Sequence, residues 1–265
     1  MRLLLDFLYR FGWGMAAGLV LTPITIVPAG FFRVNLLVVL GLATAAAAVA
    51  WQGTAASAAW LPATAAAITA WLGSVAWLAD SGTGLPPHDV ATKPTGHRGK
   101  RRRPGEWLCG LTAVWLAVAT VIVSVGGAAS SLPGWLAAAA ALISGLVTGL
   151  TVHAMLLGHW YLNAPGMRVD ALRRMIDIAL AAWGLQLALS VGLLVAGPGG
   201  STGLTASALL ALRWLAGLGG LPVLLVMARK TLDIPNTQSA TGILYVACLA
   251  AILGELTAQL LQASA

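Results

Sequence analysis

The stretch Gly134-Trp-Leu-Ala-Ala-Ala-Ala-Ala-Leu-Ile-Ser-Gly-Leu-Val-Thr-Gly-Leu-Thr-Val-His153-Ala-Met-Leu-Leu-Gly-His159-Trp160-Tyr161-Leu-Asn163-Ala-Pro165-Gly166 decides the fold. From 134 to 163 it carries no Asp, Glu, Lys or Arg, and its apolar residues run on without alternating. About 20 such residues carry an α-helix across the hydrocarbon core of a bilayer. This stretch is long enough. Strands of a transmembrane β-barrel would alternate apolar and polar residues, and that pattern is missing. Asn163-Ala-Pro165-Gly166 then ends the helix, because Pro removes a donor and Gly favours a stop.

The rest of the chain repeats this reading. Hydrophobic residues make up 59% of the 265 and charged residues 9%, against roughly 25% charged in an ordinary soluble domain. So few charges could not cover a soluble globule, whereas a bilayer demands apolar surface and internally satisfied backbone. The expected fold class is an all-α polytopic membrane protein, a bundle of about eight transmembrane helices forming a single transmembrane domain over 1–265. Spans are expected near 11–28, 34–51, 55–79, 107–128, 134–162, 175–196, 203–228 and 239–262. Pro23 and Pro28 make the first the least regular. The N-terminus lacks a clean signal-peptide pattern, since Asp6 and Arg10 interrupt its apolar run. Cys109 and Cys248 each fall inside a span and read as small core residues.

Basic residues set the expected orientation. Arg33, the run from Lys93 to Arg103, Arg168, Arg173, Arg174, Arg229 and Lys230 all fall on one side of an eight-span plan. That side should be cytoplasmic, in a bacterial inner membrane with both termini outside. Arg2 and Arg10 are the dissenting charges. The longest connection, 80–106, holds Lys93, Arg98, Lys100, Arg101, Arg102 and Arg103 beside His88 and His97. On a membrane protein such a loop fits anionic lipid or a partner better than nucleic acid, which is not an expected partner.

The two halves echo each other at an offset of 135 residues. Ala29-Gly-Phe-Phe-Arg33-Val34-Asn35-Leu-Leu37 corresponds to Ala164-Pro-Gly-Met-Arg168-Val169-Asp170-Ala-Leu172, and Gly14 to Gly149. Four spans per copy would make a parallel 4+4 tandem repeat with halves 1–128 and 134–265. Chance in an Ala- and Leu-rich chain is the rival explanation. Gly14-x-x-x-Gly18 and Gly145-x-x-x-Gly149 place small residues on one helix face and point to close helix packing.

Ionisable residues inside a membrane are costly and draw attention to function. His153, His159, Asp177, Arg213 and Glu255 form that set, with Gln186, Gln259 and Gln262 beside them. Six residues separate the two histidines, about 9 Å of rise and roughly 120° of rotation, so together they do not make a helical metal pair. No confident metal site follows. His153, His159, Trp160, Tyr161, Asn163 and Arg168 place imidazole, indole, phenol, amide and guanidinium around one helix end. Such a set suits a quinone headgroup or, with further ligands, a haem. It equally suits an interfacial aromatic belt with snorkelling anchors. Arg213, near mid-bilayer, needs a partner, with Glu255 or Gln186 as candidates and Trp183 and Trp214 as cation–π faces.

The eight-span, four-plus-four plan is similar to that of haem A synthases and of the quinol-handling membrane anchors of polysulfide-reductase-type enzymes. The likeness is one of architecture and transfers no residues. Haem A synthases carry histidines in both halves, whereas here membrane histidines fall only in the second. Nucleotide-binding loops, serine elbows and hydrolytic carboxylate pairs are missing. Three functions follow as expectations. The first is quinone- or haem-linked electron or proton transfer at the His153–Arg168 turn, beside a soluble redox partner subunit. The second is a small-solute or ion transporter using Arg213, Gln186 and Glu255. The third is a non-catalytic membrane scaffold.

Overall fold

The computed structural model describes residues 1–52, 58–81, 104–126, 133–164, 168–196, 204–234 and 236–264. Among these residues the chain is helical: α1 (Arg2–Leu21), α2 (Ala29–Gln52), α3 (Trp60–Ser81), α4 (Pro104–Val125), α5 (Gly134–Asn163) and α6 (Asp170–Ala196), followed by α7 (Leu204–Leu212), a π-helical segment (Arg213–Gly220), α8 (Leu221–Thr231) and α9 (Thr237–Ser264). The α7, π and α8 pieces form one continuous crossing, so among the described residues eight helices are long and apolar enough to span a membrane. The protein is an all-α, multi-pass membrane bundle.

Helix ends follow local chemistry. Pro104 opens α4, where its missing N–H costs nothing. Asn236 caps α9 by accepting a hydrogen bond from the Ser239 N–H at 3.0 Å. The largest departure from the sequence expectation is α1, which begins at Arg2 and stops at Leu21, one residue before the extended Thr22. Hydropathy alone starts this span after Arg10 because a bare guanidinium is expensive in lipid. The fold removes that objection by pairing Arg10 with Glu255 of α9 at 2.9 Å.

Small residues set the packing. In α2 and α3, Ala43, Ala46, Ala50 and Ala63, Ala66, Ala70 are fully buried at alternating three- and four-residue spacing, a seam that lets the two backbones approach closely. At the centre α1 crosses α5 through glycine. A Cβ on Gly14 would strike the backbone of Gly145 and Gly149, one on Gly145 would lie 2.5 Å from the Arg10 carbonyl oxygen, and one on Gly18 would lie 2.5 Å from the His153 ring. The pairs Arg10/Gly145, Gly14/Gly149 and Gly18/His153 advance in step, so α1 and α5 run parallel. Each pair is separated by the same 135 residues as the sequence echo. Around this crossing α4 packs on α1, and α9 packs on α5. Tyr9 donates to the Ala59 carbonyl at 3.0 Å and ties α1 to the start of α3.

With eight crossings both chain ends lie on one face, here the terminal face. The opposite, basic face carries Arg33, Arg168, Arg173, Arg174, Arg229 and Lys230. The loop cations Lys93, Arg98, Lys100, Arg101, Arg102 and Arg103 lie outside the described residues.

Candidate functional site

Residues of the His153–Arg168 turn occupy separate surroundings. His153 is fully buried, with Nε2 2.7 Å from the Thr22 hydroxyl. That hydroxyl donates its own proton to the Gly18 carbonyl at 2.7 Å. The ring therefore donates from Nε2, and the buried Nδ1 has no donor among the described residues. Phe31 meets the same ring edge-on, with centroids 5.4 Å apart. Trp160 also meets Phe31 edge-on, with centroids 5.8 Å apart. His159, a third of a turn round α5 from His153, is exposed and faces the Tyr245 hydroxyl of α9 at 3.2 Å. Tyr161 donates to the Arg168 carbonyl and so fastens the α5–α6 connection. The Asn163 amide turns back to the His159 carbonyl at 3.3 Å, and the exposed Arg168 guanidinium pairs with Asp170 at 2.7 Å. Thus His153, Phe31 and Trp160 form one aromatic core, while His159, Asn163 and Arg168 point elsewhere.

The second polar set converges. Counted from the helix ends on the terminal face, Arg10, Arg213, Glu255 and Gln186 lie about 12 to 15 Å deep at 1.5 Å per residue. They form one layer. Glu255 is 2% exposed; its Oε1 accepts from Arg10 and, at 2.7 Å, from the Gln259 amide. Arg10 also reaches Gln262 at 3.4 Å, and Asp6, one turn nearer the terminal face, lies within electrostatic reach of both partners. The second oxygen of Glu255 is buried with no hydrogen-bond partner among the described residues.

Arg213 opens the π segment and donates to the Ser190 hydroxyl of α6 at 3.1 Å. Among the described residues no carboxylate lies within ion-pair distance of it. A narrow cleft, with room for about one water, is lined by Arg213, Gln186, Glu255, Thr148 and Gly217. Opposite Gly217 lies Gly254 of α9, whose Cα a Cβ would meet at 2.8 Å. This glycine pair lets the two backbones touch just where span seven widens from α to π geometry. A π turn inserts an extra residue per turn and re-aims the side chains around it. Arg213 is turned inward at that point.

Arg213, Gln186 and Glu255 thus share one space, although Glu255 belongs to Arg10 and the hydrogen-bond partner of Arg213 is Ser190. Arg10, Ser190 and Thr148 are the members that sequence reading misses. For Arg10 a signal existed: Glu255 needs a cation at its own depth, and counted along its helix from the terminal face Arg10 lies at nearly the same depth as Glu255. Asp177 pairs with Arg229 on the basic face at 2.9 Å. Among the described residues no three His, Cys, Asp or Glu side chains gather as a metal site. No family model matches the chain, and neither a curated protein nor a solved structure matches it.

Proposed function

We propose that this protein is a membrane carrier for a small anionic group, with the Arg213 cleft as its substrate site. One observation supports the reading above others: Arg213, Gln186 and Glu255, from three different spans, meet where the only π segment among the described residues interrupts a crossing. Broken helices lining a mid-membrane polar space are a common way to build a transport site. Chemically, Glu255 pairs directly with Arg10 and reaches Arg213 only through its field, which leaves the Arg213 fork to exchange Ser190 for an anion. Gln186 adds a neutral donor and Thr148 a hydroxyl. This reading is taken ahead of quinone or haem binding at the His153–Arg168 turn, where His153 and Trp160 pack on Phe31 while His159, Asn163 and Arg168 are exposed. The basic face is cytoplasmic on the positive-inside argument.

The test is flux. Purified protein is reconstituted into vesicles and challenged with radiolabelled anions, from inorganic phosphate and acetate to monoalkyl phosphates. At least one should cross faster than in empty vesicles, and Arg213→Gln should remove that excess. Equal flux through wild type and Arg213→Gln for every anion would sink the proposal.

A further inference from the structure

The Arg213 cleft is open from the side. α6 leans on α5 and α7 leans on α9, yet α6 and α7 share almost no contact with each other. α6 meets span seven mainly through α8, towards the basic face. There Arg229 pairs with Asp177 at 2.9 Å and Arg173 with Asp233 at 3.3 Å. Trp183, donating to the Leu218 carbonyl at 3.2 Å, marks the end of that joint. Beyond it, none of the described residues from 180 to 217 is fully buried. The two helices therefore form the walls of a V that widens towards the terminal face, with Thr148 of α5 and Gly254 and Glu255 of α9 as its floor. In the first half, α2 and α3 instead close along their alanine seam.

The walls of this V are apolar: nearer the terminal face, the α6 side that carries Gln186 and Ser190 continues with Leu189 and Leu193, and the α7 side that carries Arg213 continues with Ala206 and Leu209, all half-buried. At its base the chemistry changes. Arg213 offers a charged fork whose hydrogen-bond partner is a neutral hydroxyl. Glu255 offers a buried oxygen that lacks a donor. A ligand matching both must bring an anion for the guanidinium, a proton donor for the carboxylate and an apolar chain for the walls.

We propose that the cleft, which holds about one water while α6 and α7 stand as they do, widens between these two helices to take an amphiphile from the bilayer itself, entering sideways. Its class is a single apolar chain bearing a small anionic head that keeps one hydroxyl proton, as a monoalkyl phosphate does. The head oxygen sits on Arg213, its hydroxyl donates to Glu255, and the chain lies along the V. This rests on the carrier reading only in using Arg213 as the anion site.

A photoreactive monoalkyl phosphate, incorporated with the full-length protein into nanodiscs of zwitterionic lipid, tests the proposal. Labelled peptides should map to α6 and α7 near Leu185–Leu194 and Leu204–Leu212. Dodecyl phosphate should displace the label, while inorganic phosphate and dodecyltrimethylammonium should not. Arg213→Gln should weaken labelling about tenfold or more, the usual scale for losing a charge-assisted hydrogen bond. Arg213→Lys, which keeps the charge but not the fork, should fall between the two and guards against a folding defect. If inorganic phosphate competes as well as dodecyl phosphate, the anion site stands and lateral entry fails. If the cationic amphiphile competes equally, or labelling ignores Arg213, the anion site fails too.

Discussion

Two arginines at one depth carry different duties. Arg10 and Glu255 are a buried pair, 7% and 2% exposed, and removing one partner would leave the other charge stranded. The cost should be about 3–5 kcal/mol for Arg10→Gln, measured as a fall in melting temperature of the detergent-solubilised protein. Replacing both by methionine should cost clearly less than the sum of the single changes, since no charge is then left unpaired. Strict additivity would contradict the pairing. His153 makes a second case. Thr22→Val removes the partner of its Nε2, and leaving that donor bare should cost about 1–3 kcal/mol by the same melting assay. The sequence marked His153, Arg213 and Glu255 as residues needing an explanation, because ionisable groups are rare in such spans. It did not reveal their partners. Thr22 and Ser190 look like any other hydroxyls in an apolar helix, and Arg10 looked like a surface charge until Glu255 was placed beside it.

At the level of elements, long apolar runs made seven of the eight crossings legible to within a few residues. The first span shifted because hydropathy treats Arg10 as a stop, while the fold neutralises it. The π segment left no clear trace, for Arg213-Trp-Leu-Ala-Gly-Leu-Gly-Gly220 reads as ordinary apolar helix. Widening is decided by packing against Gly254, which is distant in sequence. The α1–α5 crossing depends on glycine, and a methyl group at either member has nowhere to go. Gly14→Ala and Gly149→Ala should both lower the melting temperature, whereas Gly41→Ala and Gly184→Ala, which meet open space, should be near neutral. A silent Gly14→Ala would mean that the helices do not cross there.

For the whole molecule, contacts at one constant offset of 135 residues invite an evolutionary reading. We propose that the halves 1–128 and 134–265 are a parallel duplication about a pseudo-two-fold axis through Gly14 and Gly149. Gly14→Ala and Gly149→Ala should then cost the same, and markedly unequal losses would argue for chance. The two halves differ in packing. The first is closed by its alanine seam, while the second splays apart and carries Arg213, Gln186, Ser190 and Glu255. Orientation belongs to this scale as well. Ile234→Cys on the basic face should resist a membrane-impermeant maleimide in intact cells, and Gly126→Cys on the terminal face should react. The native Cys109 and Cys248 are buried and leave a low background. The reverse pattern would invert the topology.

Arg10 holds the bundle together and Arg213 holds the anion, and a side-by-side comparison of Arg10→Gln and Arg213→Gln separates the two roles. Each variant is measured for melting temperature in detergent and for anion flux in vesicles. Arg10→Gln should melt well below wild type. Arg213→Gln should melt close to wild type, since its hydrogen-bond partner Ser190 is neutral and Glu255 keeps its direct pair with Arg10, yet lose the anion flux. If Arg213→Gln destabilises the bundle as much as Arg10→Gln does, Arg213 is a structural clamp and the carrier reading is wrong.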